Sequence, residues 1–263
     1  MIRFVLISIL IKFLLFLTCY VLILKTKKMA YIDMFWPLSF LPEFLIAFYF
    51  KGFSHGNIIL FLMVLVWALR LSLYLGLRAI GLKEDFRYTE FSKTWPKKNL
   101  NFQIFLRLVF TQFSASVLMS SCFYVYLFSP SFGWSAPFWN VPLLGLFILG
   151  LSLEIVADEQ IRSFKKKNFK ENPKENLQSN VTFTGGVWKY VKYPNYAGEI
   201  LIWLSFGLLS LPFTYGTLGL ISPLAIFCFL TYVTGIPYLE KHRAQRKAEP
   251  YQRPKKNYIP KVF

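Results

Sequence analysis

Histidine, cysteine and acidic residues are scarce in this chain. The two histidines, His55 and His242, and the three cysteines, Cys19, Cys122 and Cys228, are widely separated. No HExxH, paired-His or clustered Cys/His spacing exists to hold a transition metal, which argues against a metal hydrolase, and no metal is expected. All three cysteines lie inside apolar runs without a second thiol at ligand spacing, so no disulfide is expected. Neither GxGxxG after a strand nor GxxxxGK[ST] occurs, which removes Rossmann and P-loop nucleotide sites. No internal repeat of solenoid type is present.

Only 13 Asp and Glu stand against 30 Lys and Arg, a net charge of +17. In a soluble protein that excess would suggest nucleic acid. Here the basic residues sit in short loops between long apolar runs, where membrane topology explains them better, and no nucleic-acid partner is expected. Charged residues make up 16% of the chain against 55% hydrophobic, and mean hydropathy is +0.44. These values fall outside the soluble range and imply an all-α, polytopic membrane protein.

A span needs about 20 mostly apolar residues to cross a hydrocarbon core of roughly 30 Å. Seven stretches qualify, at residues 2–24, 33–50, 57–80, 103–128, 141–157, 196–211 and 216–238. The first is longer than a signal-peptide h-region and lacks a small-residue cleavage site, so it reads as a mature helix. Pro37, Pro42 and Glu43 in the second predict a kinked or partly re-entrant segment. Cytoplasmic connections carry excess Lys and Arg. The odd-numbered connections and the tail are strongly basic, whereas the even ones offer Lys51 alone. That asymmetry predicts seven helices with the N-terminus out and the C-terminus cytoplasmic.

Residues 185–199, GGVWKYVKYPNYAGE, are the most chemically specified stretch, and the topology puts them on the cytoplasmic side. Asn195 and Glu199 lie four apart at the start of the sixth apolar run. Glu154 and Asp158 repeat that spacing at the end of the fifth, so both carboxylates share one helix face. A carboxylate in or beside a span is costly and faces a cavity or a partner. The alternatives are an acidic helix end paired with Arg162 and Lys165, and an N-cap at Asn195 with Glu199 complementing the helix dipole. Arg70, mid-helix with Trp67, Tyr74 and Arg78 at helical spacing, wants a carboxylate or an anionic ligand. Its partner is either Glu43 or Glu154 in a structural ion pair, or a charged cofactor or lipid head group. Residues 165–170, KKKNFK, could neutralise phosphates, although positive-inside topology accounts for them equally.

The block that opens with EIVADEQIRSFK at Glu154 and closes with TGGVWKYVKYPNYAGE at Glu199 resembles the C-terminal domain of the steroid 5-alpha-reductase family. It is closest to that family's prokaryotic, DUF1295-like branch. DMFW at 33–36, WALRLSLYLGLR at 67–78, EDFRY at 84–88 and TGIPYLEK at 234–241 extend the resemblance over nearly the whole chain. The resemblance implies a single membrane domain over residues 1–263, in a bacterial inner membrane. In it, 1–140 form the substrate side and 141–263 hold NADPH between cytoplasmic-side helices. The implied reaction saturates a carbon-carbon double bond conjugated to a ketone in a steroid or other lipophilic enone. The family's Asn-x-x-Gly-Glu element, which holds the cofactor, matches Asn195, Gly198 and Glu199; Asp158 and Lys165 match its aspartate and the basic residue seven later. Glu154, Tyr193 and Arg70 complete the expected cofactor set, and Glu43 and Tyr74 are the candidate acids. Glu154 replaces an Asn of the mammalian members, and Lys165 an Arg, while PYLEKH at 237–242 stands where they have a His-rich element. A PNYxGE-type turn also occurs in membrane methyltransferases that use S-adenosylmethionine, but those carry adjacent glutamates where Glu240 is followed by Lys241. A non-catalytic lipid-binding protein is the third reading.

Overall fold

The computed structural model describes residues 2–52, 54–81, 84–85, 87–89, 99–128, 137–171 and 183–245. Among them there are helices and turns and no β-strand. Among the described residues six helical stretches are long and apolar enough to cross a membrane: Ile2–Thr26, Tyr31–Lys51, His55–Ile80, Leu100–Phe128, Phe138–Lys167 and Gly216–Lys241. The protein is therefore an all-helical integral membrane protein. The remaining expected stretch, 196–211, corresponds to helix Pro194–Ser210, which has 17 residues. At 1.5 Å per residue that is about 25 Å, short of a roughly 30 Å core.

The chain divides into two compact units, residues 1–140 with 207–225 and residues 141–206 with 226–263. In the first unit, α1 (Ile2–Thr26) packs on α2 (Tyr31–Leu38) and α3 (Pro42–Lys51), and α2 packs on α4 (His55–Gly81). The break between α2 and α3 is the kink expected from the prolines. Pro42 lacks an N–H, and its ring would clash with the carbonyl four residues back, so one helix stops and the next begins with Pro42 in its first turn. Around the break lies an aromatic core in which Phe40 meets Trp67 and Phe123 with ring centroids 5.8 Å and 6.1 Å apart.

Breaking a helix at membrane depth strands backbone carbonyls where no water can reach them. Lys12, from the middle of α1, fills that role. Its Nζ donates to Ser39 O at 2.6 Å, pairs with Glu43 Oε1 at 2.8 Å and sits 4.4 Å from the centre of the Phe40 ring. Both charged side chains are 0% exposed. Two other lysines treat helix ends the same way. Lys28 Nζ donates to Ala79 O and Ile80 O at the end of α4, at 2.9 Å and 3.2 Å. Lys51 Nζ donates at 2.8 Å to Leu127 O, at the end of the helix Ser121–Phe128. A cation at a helix C-terminus satisfies orphan carbonyls and the negative end of the dipole together.

The chain from 100 to 128 is one span made of α5 (Leu100–Arg107), a wider π-helical turn at Leu108–Phe113, α6 (Ser114–Met119) and α7 (Ser121–Phe128). Within the first unit, Ser222 donates to Met119 O at 2.7 Å and accepts from Cys122 N at 3.2 Å, tying the 207–225 segment to this span.

In the second unit α8 (Pro137–Glu171) runs on for 35 residues, well past the apolar stretch expected to end at 157. Its polar continuation carries Asp158, Glu159, Arg162 and Lys165 on helix rather than loop. The chain continues in α9 (Pro194–Ser210), α10 (Ile221–Cys228), a π-helical turn at Phe229–Val233 and α11 (Ile236–Gln245).

Removing one member of a buried ion pair leaves the other charge stranded, typically at a cost of about 3–5 kcal/mol, whereas an apolar replacement of both is close to neutral. Lys12→Met and Glu43→Gln are each expected to lower the thermal unfolding temperature in detergent markedly, and Lys12→Met/Glu43→Leu to lose less than the two losses added, with recovery held back by the Ser39 carbonyl that Lys12 no longer satisfies. Additive losses in the double variant would contradict the pairing.

Candidate functional site

The stretch 185–199 is built onto α8 by local devices. Gly186 has φ +55°, a left-handed conformation that glycine adopts without strain, and a side chain there would collide with the amide of Gln160. Gln160 Oε1 accepts from Val187 N at 3.1 Å. The short 3-10 turn Gly186–Lys189 then delivers Trp188, whose Nε1 donates to Ala157 O at 3.0 Å. The turn is thus clamped at positions 157 and 160, either side of Asp158.

After the turn, Pro194 opens α9, so Asn195 lies inside the first helical turn rather than at the capping position, and Glu199 lies beyond that turn. The N-cap reading of this pair therefore fails on geometry. Tyr193, buried, donates its hydroxyl to Glu240 Oε1 on α11, and Lys192 pairs with the same oxygen. The Tyr193 ring stacks on Tyr196 with centroids 5.8 Å apart. Glu240 and Gln160 were not among the expected site residues, and only the folded chain reveals their roles.

Two glycines set the rest of the geometry. A methyl group on Gly198 would stand 2.6 Å from Gly150 O and 2.9 Å from Glu154 N, and one on Gly150 would stand 2.7 Å from Gly198 O. Helices α8 and α9 therefore touch backbone to backbone at this point, as small residues permit in membranes. The contact seats Glu154 against Gly198, immediately beside Glu199. Glu199 Oε1 accepts from Trp203 Nε1 at 3.0 Å. Glu154, Asp158 and Glu199 are 4%, 8% and 6% exposed, respectively, so the second unit holds three buried carboxylates on two crossing helices. Ionised carboxylates are acceptors only, and such a set suits a ligand rich in hydroxyl or amide donors.

Of the cations weighed as partners for these acids, Arg162 is engaged elsewhere. Arg162 pairs with Glu159 at 3.0 Å on an exposed face, favoured by the i,i+3 spacing, in place of Glu154 or Asp158. Lys165, Lys166 and Lys167 are exposed; the side chains of 168–170, the remainder of KKKNFK, lie outside the described residues. In the first unit Arg70 is half-buried with its Cζ 5.4 Å from the centre of the Tyr74 ring. Glu43, offered as a counter-ion for Arg70, is paired with Lys12 instead. Lys12 was not anticipated as a site residue, although a lysine in the middle of so apolar a run is itself the signal of a buried partner.

The front-half marks DMFW and EDFRY also meet, although Phe86 lies outside the described residues. Arg87 Nη2 reaches Asp33 Oδ2 at 2.6 Å and its Nε reaches Asp85 Oδ1 at 3.1 Å. Arg78 pairs with Asp85 at 2.7 Å, and Tyr88 donates to Asp33. Glu84 accepts from the backbone of Met29 and Ala30, at the start of α2. Burial by itself would raise the Asp85 carboxyl, but the charges and hydrogen bonds of Arg87 and Arg78 outweigh it and hold Asp85 below its ordinary 3.8. Burial, reinforced by Asp33, pushes the Tyr88 phenol well above the usual tyrosine range.

The model of the family described as a protein of unknown function (DUF1295) matches residues 19–257. The chain belongs to the DUF1295 family. No match was found among curated proteins or among solved structures.

Two outcomes follow from this geometry. Gly198→Ala forces apart two backbones in contact, an overpacking expected to destabilise by about 1–3 kcal/mol, read as a lower unfolding temperature. Because the folded-state pKa of Asp85 is depressed, its contribution to stability is present above its ordinary 3.8 and is lost as the pH falls through the lower folded value. Asp85→Asn should therefore lower the unfolding temperature at neutral pH, with the gap to the parent chain closing in strong acid. A gap independent of pH would refute the ion-pair account.

Proposed function

We propose that the chain is an NADPH-dependent reductase of a carbon-carbon double bond conjugated to a ketone, acting on a steroid-like or other lipophilic substrate. It would work as a seven-span protein of a bacterial inner membrane, with the C-terminus and the cofactor side cytoplasmic and Pro194–Ser210 as the sixth span. The observation that carries this reading is the Gly150–Gly198 contact, which brings Glu154 onto the Asn-x-x-Gly-Glu element of the steroid 5-alpha-reductase resemblance. The donor chemistry fits. The nicotinamide ribose hydroxyls and the carboxamide are hydrogen-bond donors suited to Glu154, Asp158 and Glu199, with Asn195 beside them. Exposed Lys165 to Lys167 supply cations of the kind that phosphates require.

When bound, NADPH would supply a hydride to the carbon beta to the ketone. The chain's contribution is positioning and exclusion of water. Trp203 fixes one oxygen of Glu199, the glycine contact fixes the separation of α8 and α9, and Tyr193 with Glu240 ties α9 to α11. Both candidate acids, Glu43 and Tyr74, are residues of the first unit. Glu43 is engaged by Lys12, which favours Tyr74, beside the Arg70 cation, as the proton donor.

Buried carboxylates suit the ribose of S-adenosylmethionine too, so one titration separates the readings. Purified full-length protein in detergent is expected to bind NADPH and not S-adenosylmethionine, with Glu199→Gln weakening NADPH about tenfold or more, the worth of a hydrogen bond to a charged group. Binding of S-adenosylmethionine alone would make the protein a methyltransferase, and binding of neither would make it a lipid-binding protein. An unchanged NADPH affinity in Glu199→Gln would remove that residue from the site.

A further inference from the structure

The stretch 185–199 is held at both ends by α8. Val187 N donates to Gln160 Oε1 and Trp188 Nε1 to Ala157 O at one end, and Gly198 meets Gly150 and Glu154 at the other. Between those anchors the chain enters α9, whose first amides have no acceptor within their own helix. The side chains of Lys192 and Tyr193 secure that entry, and both reach one atom of α11. Tyr193 donates its hydroxyl to Glu240 Oε1, and Lys192 Nζ stands 2.5 Å from the same oxygen. The Tyr193 ring, 1% exposed, packs in one apolar cluster with Ile200 and Ile236, against which Leu239 also lies. Gly235, just before α11, lets the chain pass close to Tyr196, since a methyl group there would stand 2.9 Å from that ring's Cε2.

The anchors on α8 and on α11 govern different residues. Asn195 and Glu199 lie four apart, on one face of α9. Glu199 follows Gly198 directly, so the backbone contact with α8 sets its place, and Trp203 fixes one of its oxygens. Asn195 comes two residues after Tyr193, in the first turn of the helix, where helices fray. Its side of the turn is held by the contact to α11. Asn195 is also only half-buried, whereas Glu199 is buried.

We propose that Glu240 is a positioning residue of the cofactor side, acting through Asn195 rather than on the cofactor itself. By tethering Lys192 and Tyr193 it holds the first turn of α9, so that the Asn195 amide is presented alongside the Glu199 carboxylate, and α11 serves as a strap across the entry to the helix. This rests on the reading of Asn195 and Glu199 as ligands of NADPH. A carboxylate suits the task because a single oxygen takes both an ammonium and a phenol hydroxyl, whereas an amide in its place keeps the hydroxyl bond and drops the ion pair. Small displacements of a positioned group carry large losses, which is what makes such a strap worth building.

The test applies two measurements to the full chain in detergent and to its variants. Without cofactor, amide hydrogen exchange in residues 190–196 is expected to rise about tenfold in Glu240→Ala, while residues 186–188, held by α8, stay as protected as in the parent. Tyr193→Phe, which keeps the ring on Tyr196, is expected to give a smaller rise in the same residues. NADPH affinity is expected to fall about tenfold in Glu240→Ala, and Glu240→Gln, whose carbonyl still accepts from Tyr193, to recover most of that loss. Because Glu240 acts through Asn195, Glu240→Ala/Asn195→Ala is expected to bind NADPH no more weakly than the worse of its two single variants. Unchanged exchange in residues 190–196, a rise spread equally over α8, additive losses in the double variant, or an unchanged NADPH affinity in Glu240→Ala each overturns the positioning role. A parent chain that binds no NADPH discards the reductase reading instead, and the strap then stands or falls on the exchange pattern.

Discussion

Inside a hydrocarbon slab a helix that stops midway leaves carbonyls that only another part of the same chain can satisfy. The first unit depends on meeting that constraint at Ser39, where the ammonium of Lys12 takes the carbonyl and brings Glu43 with it as counter-charge. The arrangement ties α1 to both halves of the broken segment. It also explains why a lysine is tolerated in the middle of so apolar a helix, since its charge and its donors are matched in place. Lys28 and Lys51 extend the same physics to two more helix ends, α4 and α7, nearer the membrane surfaces. The basic excess of the chain is therefore not only a topological signal. Part of it is structural, spent on helix C-termini.

The second unit solves a different problem with different residues. Between helices in lipid there is little hydrophobic drive, so close packing of small residues does the work. Gly150 and Gly198 let α8 and α9 meet at their backbones. That contact also sets the backbone of Glu154 against Gly198, next in sequence to Glu199. Trp188 and Gln160 hold the 185–189 turn to the same face of α8, and Glu240 collects Tyr193 and Lys192. Packing and polar chemistry in this unit are one arrangement.

How far the chain could be read in advance depends on the distance over which each feature is decided. Apolar runs of span length, the proline break between 38 and 42, and the shared face of Glu154 and Asp158 all follow from local backbone geometry, and all are legible. The length of α8 was underestimated. Its polar continuation to Glu171 breaks the hydropathy signal but contains no proline or glycine to end the helix. The capping role considered for Asn195 failed because Pro194, one residue earlier, already starts the helix.

The sequence by itself determined the class of protein, the approximate spans and the stretch where polar chemistry collects, because hydrophobicity and helical periodicity act within a few turns of chain. Only the tertiary structure decided the partners. Lys12 with Glu43, Arg87 with Asp33, Gly150 with Gly198 and Tyr193 with Glu240 are pairs whose members lie on different elements. Nothing in the spacing of either member names the other. Which charge meets which is settled by which helices pack side by side, and in a bilayer, where an unpaired polar group is so costly, that choice of neighbours decides the chemistry each site can hold.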